Sequence, residues 1–279
     1  KTHKVDLLGR ELQHPLANKI LDSCAKIATQ MDLKPFNERS GSGLLRHVMV
    51  RIGYITNEVM VIIVIGDRDL PGKKEFTKRL LKLHPEITTV VLNINMLVTT
   101  MVLGNKNVTS YGPGFIFDSI DNIRFKLFPS TFYQVNPIQM TNLYNKAIEM
   151  GNFKETDNVI DVFCGIGTLT LLIAKHVRNV IGIELNQDSI LAAKGNAKFN
   201  KVDNATFVCE DATSWMSKQS GRVDAVVLDP PRSGCTPVFL HSLVKLKPNK
   251  IVYISCNPIT QKEDISVLET NGYNLNMIQ

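Results

Sequence analysis

The sequence predicts an α/β protein, with an open parallel sheet over residues 128–279 preceded by an α+β domain over 1–127. Three observations carry this reading. Beyond about residue 137, short apolar runs alternate with helical periodicities, the pattern of parallel strands joined by crossover helices. Ahead of that point, strand-like runs such as VMVIIVI (59–65) pair as hairpins and only a few helices intervene. The charge is also divided: 1–127 holds 18 Lys and Arg against 12 Asp and Glu, whereas 128–279 holds 14 of each.

In chain order, residues 14–31 place apolar side chains at helical spacing behind Pro15. Residues 43–67 form a hairpin: Val48, Val50 and Ile52 alternate, Thr56-Asn57-Glu58 turns, and a more buried strand returns. A basic helix (73–85) and a strand (88–95) follow, then short strands over 99–127 separated by Gly104, Asn105, Gly112, Pro113 and Gly114. In the second half the expected strands are 158–163, 179–185, 205–211, 223–231, 250–255 and 273–279. Helices are expected over 137–151, 168–177, 187–200, around Trp215, over 237–246 and over 260–272.

Composition narrows the function classes. A chain of 279 residues with 44% hydrophobic content builds one or two domains with a sizeable core. No apolar run approaches the roughly 18 residues of a membrane span, and no signal-peptide pattern opens the chain. Lys1 rather than Met stands first, so residues upstream are expected. Five scattered cysteines with no C-x-x-C pair point to a reducing, cytoplasmic setting and against a metal or iron–sulfur site. The basic excess of the front half suits a polyanion, with Lys73, Lys74, Lys78, Arg79 and Lys82 as phosphate contacts. A solvated surface reads that charge run equally well.

The chemistry gathers at the expected strand ends. In DVFCGIGT (161–168), Gly165 and Gly167 allow a tight turn and close approach of a ligand. Thr170 stands where a dinucleotide fingerprint has its third glycine. Asp161 heads the turn, placed to position the loop or to sit near a cationic amino group. Glu184, about 20 residues beyond the turn, is placed to accept from ribose hydroxyls, and Glu210-Asp211 to reach an adenine edge. Each acid could instead be a solvated strand-end residue. With no pyrophosphate cradle, the set favours S-adenosyl-L-methionine over a dinucleotide. LDPPR (228–232) puts Asp229 at the pocket edge, followed by two stiff prolines. A similar D/N-P-P-aromatic loop holds the amine in amine methyltransferases; Arg232 replaces the aromatic residue here, favouring a phosphate or base edge. In YISCNP (253–258), Cys256 ends a strand facing the same crevice, where a thiolate could attack carbon 6 of a pyrimidine and activate carbon 5.

FYQVN (132–136), DVFCGIGT, IGIE, LDPPRSG and YISCNP, in this order, resemble the RNA (uracil-C5)-methyltransferase family, most of all its bacterial 23S rRNA branch. The resemblance covers roughly 43–279 and implies a Rossmann-like S-adenosylmethionine-dependent methyltransferase sheet. It implies that Gln134, Phe163, Thr168, Glu184, Asp211 and Asp229 line the cofactor site and that Cys256 is the nucleophile. Phe132 and Asn136 are read as packing and loop residues, and Cys24, Cys164, Cys209 and Cys235 as structural. The expected substrate is a uridine in structured RNA, ribosomal or else transfer RNA, flipped into the crevice by a monomeric enzyme. Asp229, Asn257 and Arg232 are the expected substrate contacts. The family's glutamate base, in a motif of the type FPxTxHVE, does not occur before Gln279, so a fragment lacking its base is expected. Cytosine-C5 methylation and, for a truncated chain, non-catalytic RNA binding are the rival readings.

Overall fold

The structure is a computed structural model that describes residues 14–133 and 136–279. The chain divides into two compact units. One runs to Ser119 and takes in Lys126–Thr131; the other is Ile120–Phe125 with Phe132–Gln279. The sequence boundary expected at 127/128 falls within this interleaved stretch.

The first unit is a four-stranded mixed sheet in the order β1 (Leu45–Ile52), β2 (Val59–Ile65), β3 (Ile87–Ile94), β4 (Lys106–Tyr111). β1 and β4 run antiparallel to their neighbours, while β2 and β3 are parallel. A parallel pair needs a crossover, which α2 (Lys73–Leu83) supplies. Every residue of β2 is buried, as an uninterrupted apolar run requires. Val59, Val61, Ile63 and Ile65 share a core with Ile20, Cys24 and Ile27 of α1 (Pro15–Gln30) and Phe76 and Leu80 of α2. α1 starts where His14 Nδ1 accepts from the Leu16 N–H and Pro15 takes the first helical position.

The hairpin β5 (Ile116–Ile120)–β6 (Ile123–Leu127) turns on Asp121 and Asn122, both at positive φ (47° and 63°). Its tip belongs with the second unit for a visible reason. Lys175 Nζ donates to Asp121 O (2.5 Å), and the Asn200 amide bonds both the N–H and the C=O of Arg124.

The second unit is a five-stranded parallel sheet. Its strands are β7 (Asn158–Val162), β8 (Asn179–Glu184), β9 (Ala205–Cys209), β10 (Ala225–Leu228) and β11 (Lys250–Tyr253), ordered β11-β10-β7-β8-β9. The order reverses between β7 and β10, where such sheets open a crevice at their carboxyl ends. Ile160, Val162, Val226 and Leu228 face a core closed by α6 (Ala212–Ser217), α7 (Pro237–Leu246) and α8 (Pro258–Thr270). Asp161 points to the opposite face, where it bonds Thr170 of α4 (Thr168–Ile173). α3 (Pro137–Gly151) precedes β7, and α5 (Gln187–Phe199) joins β8 to β9.

Two expectations need correction. The helix expected over 168–177 is α-helical only to Ile173 and tightens into a 3-10 turn over Ala174–His176. The strand expected over 273–279 does not form. Tyr273 packs on the core and donates its hydroxyl to Pro248 O (3.1 Å), but 274–279 make no ladder, and alternation without a partner strand has no backbone bonds to hold it.

Because Ile63 is fully buried and Ile55 is 59% exposed, their truncations should differ sharply. Ile63→Ala is expected to cost about 2–5 kcal/mol, and Ile55→Ala about 0.5 kcal/mol or less, in urea-unfolding midpoints.

Candidate active site

Acids gather along the carboxyl ends of β10, β7 and β8. Asp161 is the penultimate residue of β7, Glu184 closes β8 and Asp229 follows β10 directly. The turn from β7 to α4 begins at Phe163, held at φ 67° with its ring 6.1 Å from that of Phe239. Left-handed backbone at a bulky residue is uncommon and costs roughly 1–3 kcal/mol, so the surrounding packing imposes it. The Cys164 N–H donates to Ile183 O (3.0 Å), extending the β7–β8 pairing into the turn.

The two glycines are needed for different reasons. Gly165 (φ 55°) has no atom within 4 Å of where a Cβ would stand, and its N–H donates to Glu184 Oε2 (3.2 Å). Gly167 (φ 78°) has no such room: a Cβ there would lie 2.8 Å from the Phe207 ring. The other oxygen of Glu184 accepts from the Asn186 N–H (2.9 Å). A carboxylate offers about four acceptor positions, so Glu184 keeps two for ligand hydroxyls while the turn fixes its direction.

Asp161 is buried beneath this turn and accepts from Thr170 Oγ1 (2.5 Å). Burial pushes its carboxyl up to about 7; Asp229 and Glu184 add to the shift and the Thr170 bond opposes it. Thr170, which stands in place of a third glycine, thus anchors the acid, a role that composition alone did not reveal. Burial likewise raises Asp229 to about 6. Its backbone N–H reaches Val162 O at 3.4 Å, the last contact between β10 and β7 before the strands part.

On the other side of β10, the Ile254 N–H donates to Leu228 O (2.8 Å), aligning the end of β11 with Asp229. Cys256 lies two residues further on and is exposed. Ser255 Oγ both accepts from the Asn257 N–H and donates to Asn257 O (3.0 Å each), closing the cysteine into a tight loop. Asn257 Oδ1 caps α8 through the Ile259 N–H (3.1 Å), while Nδ2 donates to Arg232 O (3.0 Å). The Asn257 side chain therefore joins the cysteine loop to the DPPR loop; the Arg232 side chain is exposed. Cys24 and Cys235 are pushed up by burial to about 12, and Cys164 well above its ordinary value, so all three are held as inert thiols. Cys209, exposed like Cys256, directs its sulfur to Leu185 O at 3.4 Å.

Gly165, Gly167, Phe163, Glu184, Asp229 and Cys256 thus all close or follow the carboxyl ends of β7, β8, β10 and β11. Thr168 begins α4 and is buried. Asp211 sits at the rim, its Oδ1 capping α6 through the Ser214 N–H (2.9 Å), and the neighbouring Glu210 pairs with Lys218. Gln134 lies outside the described residues. Asn136 caps α3, accepting from the Gln139 N–H (3.1 Å). Phe132, expected to pack, is instead 73% exposed, in the irregular segment between β6 and α3 where no strand or helix holds its side chain against a neighbour among the described residues. Among the described residues, no group of three or more His, Cys, Asp or Glu could hold a metal ion, and no helix is long and apolar enough to cross a membrane.

A family model described as tRNA (uracil-5-)-methyltransferase matches residues 18–274. The chain belongs to this family. An uncharacterized RNA methyltransferase of Caldanaerobacter subterraneus subsp. tengcongensis is 40% identical over 265 residues, covering 94% of this chain and 59% of that protein. Another, of Halalkalibacterium halodurans, is 35% identical over 283 residues, covering 100% of this chain and 62% of that one. The chain therefore spans about three-fifths of the length of these relatives. Among solved structures, the Pyrococcus abyssi tRNA (uracil-54, C5)-methyltransferase in complex with S-adenosyl-L-homocysteine superposes with a TM-score of 0.73 at 27% identity. That match covers 88% of this chain and 59% of the other. The Rossmann-like methyltransferase sheet expected from the sequence is the fold found.

Two outcomes follow for this family member. Asp161 binds its proton more tightly in the folded chain, so its contribution to stability is full below about pH 4 and is lost as pH rises through about 7. Asp161→Asn should flatten the fall in urea-unfolding free energy between pH 4 and 8 relative to the unchanged chain. The glycines should separate as well: Gly167→Ala is expected to lower the melting temperature markedly. Gly165→Ala should cost only about 1–2 kcal/mol of backbone strain yet abolish binding of a ligand that approaches the turn. Thermal melts and calorimetric titration with S-adenosyl-L-homocysteine check both.

Proposed function

We propose that this chain carries the S-adenosyl-L-methionine site and nucleophile of an RNA methyltransferase acting on uridine carbon 5. The observation that carries the reading is the placement of an exposed Cys256 three residues past the end of β11, with Asp229 directly past the end of the neighbouring β10, where the strand order reverses. Membership of the tRNA (uracil-5-)-methyltransferase family supports it. The open space over Gly165 and the two backbone-oriented oxygens of Glu184 fit an adenosyl ligand whose ribose lies against the β7–α4 turn. Phe163 and Thr168 shape that turn and Asp211 lies at its adenine side, while the family resemblance alone implies Gln134 for the same site.

When bound, S-adenosyl-L-methionine supplies an electrophilic methyl group. The Cys256 thiolate would add to carbon 6 of the flipped base, placing electron density on carbon 5, which would take the methyl as the donor's sulfur–methyl bond breaks and S-adenosyl-L-homocysteine leaves. A base then removes the carbon 5 proton, the carbon 5–carbon 6 double bond re-forms and the sulfur–carbon bond breaks. Asp229 holds the edge of the ring. Asn257 acts from behind by fixing the cysteine loop, and Arg232 lies at the exposed rim as a phosphate contact.

RNA is the proposed partner, ribosomal in the bacterial 23S branch, with transfer RNA favoured by the family description. The first unit supplies the phosphate contacts. On α2, Lys73 and Arg79 are paired with Asp69 and Glu75, but Lys74, Lys78 and Lys82 stand exposed at i, i+4 and i+8 on one helix face.

Replacing the carbon 5 proton by fluorine blocks the elimination whichever group serves as base. A 5-fluorouridine RNA should therefore form a denaturant-resistant complex with this chain in the presence of S-adenosyl-L-methionine, and Cys256→Ala should form none. A complex that persists in the alanine variant would remove Cys256 from the chemistry. Methyl transfer to cytidine instead of uridine would favour the cytosine reading, and RNA binding with no complex at all would favour a binding factor.

A further inference from the structure

The reaction proposed above requires the DPPR loop and the cysteine loop to keep a fixed separation, although each is an irregular segment leaving a different strand. One buried group reaches both. Asp264, near the middle of α8, is 7% exposed, and its Oδ2 accepts from the Cys235 N–H (2.8 Å) and from Tyr253 Oη (2.5 Å). Cys235 follows the Pro231–Gly234 turn, whose Gly234 N–H donates to Pro231 O (2.9 Å), so its N–H is the handle by which the DPPR loop is gripped. Tyr253 is the last residue of β11, three before Cys256. A single carboxylate oxygen thus joins the far end of one loop to the root of the other.

The first turn of α8 repeats the connection closer to the crevice. Asn257 Nδ2 and Thr260 Oγ1 both donate to Arg232 O (3.0 and 3.3 Å), and Gln261 Nε2 donates to Tyr253 O (3.0 Å). Asn257, Thr260, Gln261 and Asp264 lie within two turns of one helix, and that helix begins two residues after Cys256. The Asp264 bonds are sheltered from water, which makes them the stronger part of the set. Asp264 itself is buried, and the two groups it bonds, at Cys235 and Tyr253, each stand three residues along the chain from Arg232 and Cys256.

We infer that Asp264 is a positioning residue that clamps the DPPR and cysteine loops together through Cys235 N–H and Tyr253 Oη, and so sets the separation of Asp229 and Cys256. The inference rests on the uridine-C5 reading for its chemistry but not for its geometry. The ribose side of the adenosyl site is built on β7 and β8, through Gly165 and Glu184, and makes no use of the clamp; of the expected cofactor residues only Asp229 adjoins it. Loosening the clamp therefore acts on the covalent step far more than on cofactor binding. A misplacement of about 1 Å in such a step costs up to about a hundredfold in rate.

The test compares the unchanged chain with Asp264→Ala, Asp264→Asn and Tyr253→Phe. It follows adduct formation on 5-fluorouridine RNA, S-adenosyl-L-homocysteine binding, and amide hydrogen exchange. Asp264→Ala is expected to slow adduct formation about tenfold or more, with cofactor affinity unchanged within about twofold. Asp264→Asn, which keeps an acceptor oxygen, should recover part of the rate, and Tyr253→Phe should lose a smaller share. Exchange should quicken together over 232–236 and 254–258 while 163–167 keep their protection. If Asp264→Ala unfolds the chain, Tyr253→Phe, which removes a single oxygen, carries the same comparison. An unchanged adduct rate, exchange that quickens in one loop without the other, or equal losses of cofactor binding and rate would overturn the inference. If the unchanged chain forms no adduct, the uridine reading falls, and the exchange data alone decide whether Asp264 couples the loops.

Discussion

The parting of β7 and β10 is the constraint on which the site depends. These strands pair in register from Ala225↔Val159 to Leu228↔Val162, and the Asp229 N–H makes a last, long bond to Val162 O before the chains turn opposite ways. Every group in the candidate site is placed by its distance from that point. The glycine turn leaves β7, Glu184 closes the strand on one side, Asp229 leaves β10, and Cys256 follows the strand beyond it. Short parallel strands of four to six residues suffice, because packing on both faces holds their ends in line.

Burial gives the crevice its electrostatic character. Asp161 and Asp229 are both raised toward neutrality by the cost of their desolvation. Such a site gains when a positive group enters: a cation beside these acids draws their titration down again, and the stabilisation belongs to the complex. A sulfonium-bearing ligand meets that requirement in the proposed reading, whereas a polyphosphate would oppose it. Backbone strain is placed in the same region, since Phe163 and the turn glycines take left-handed conformations within five residues.

Much of the architecture was legible in the sequence because it follows from local pattern. The run VMVIIVI reads as a strand buried on both faces, and it is one. Alternation of apolar strands and helices after residue 137 requires a parallel sheet, and the G-I-G turn and the acid about 20 residues on fall at adjacent strand ends. Where pattern misled, a partner was needed that the pattern cannot encode. YNLNMIQ alternates like a strand but finds no neighbour to bond, and the helix after Gly167 tightens within two turns.

The sequence by itself determined the fold class, the order of the elements and the kinds of chemical group carried to the strand ends, because these follow from periodicity and from residue type. Only the tertiary structure decided what each group is attached to. Asn257, read as a contact to a base, spends its amide on Arg232 O and on the cap of α8. Thr170 holds Asp161, and Asp264 joins two loops whose bonded residues, Cys235 and Tyr253, lie 18 apart in the chain. Hydrogen bonds of this kind depend on where side chains converge after the sheet has closed, and no local spacing records that convergence.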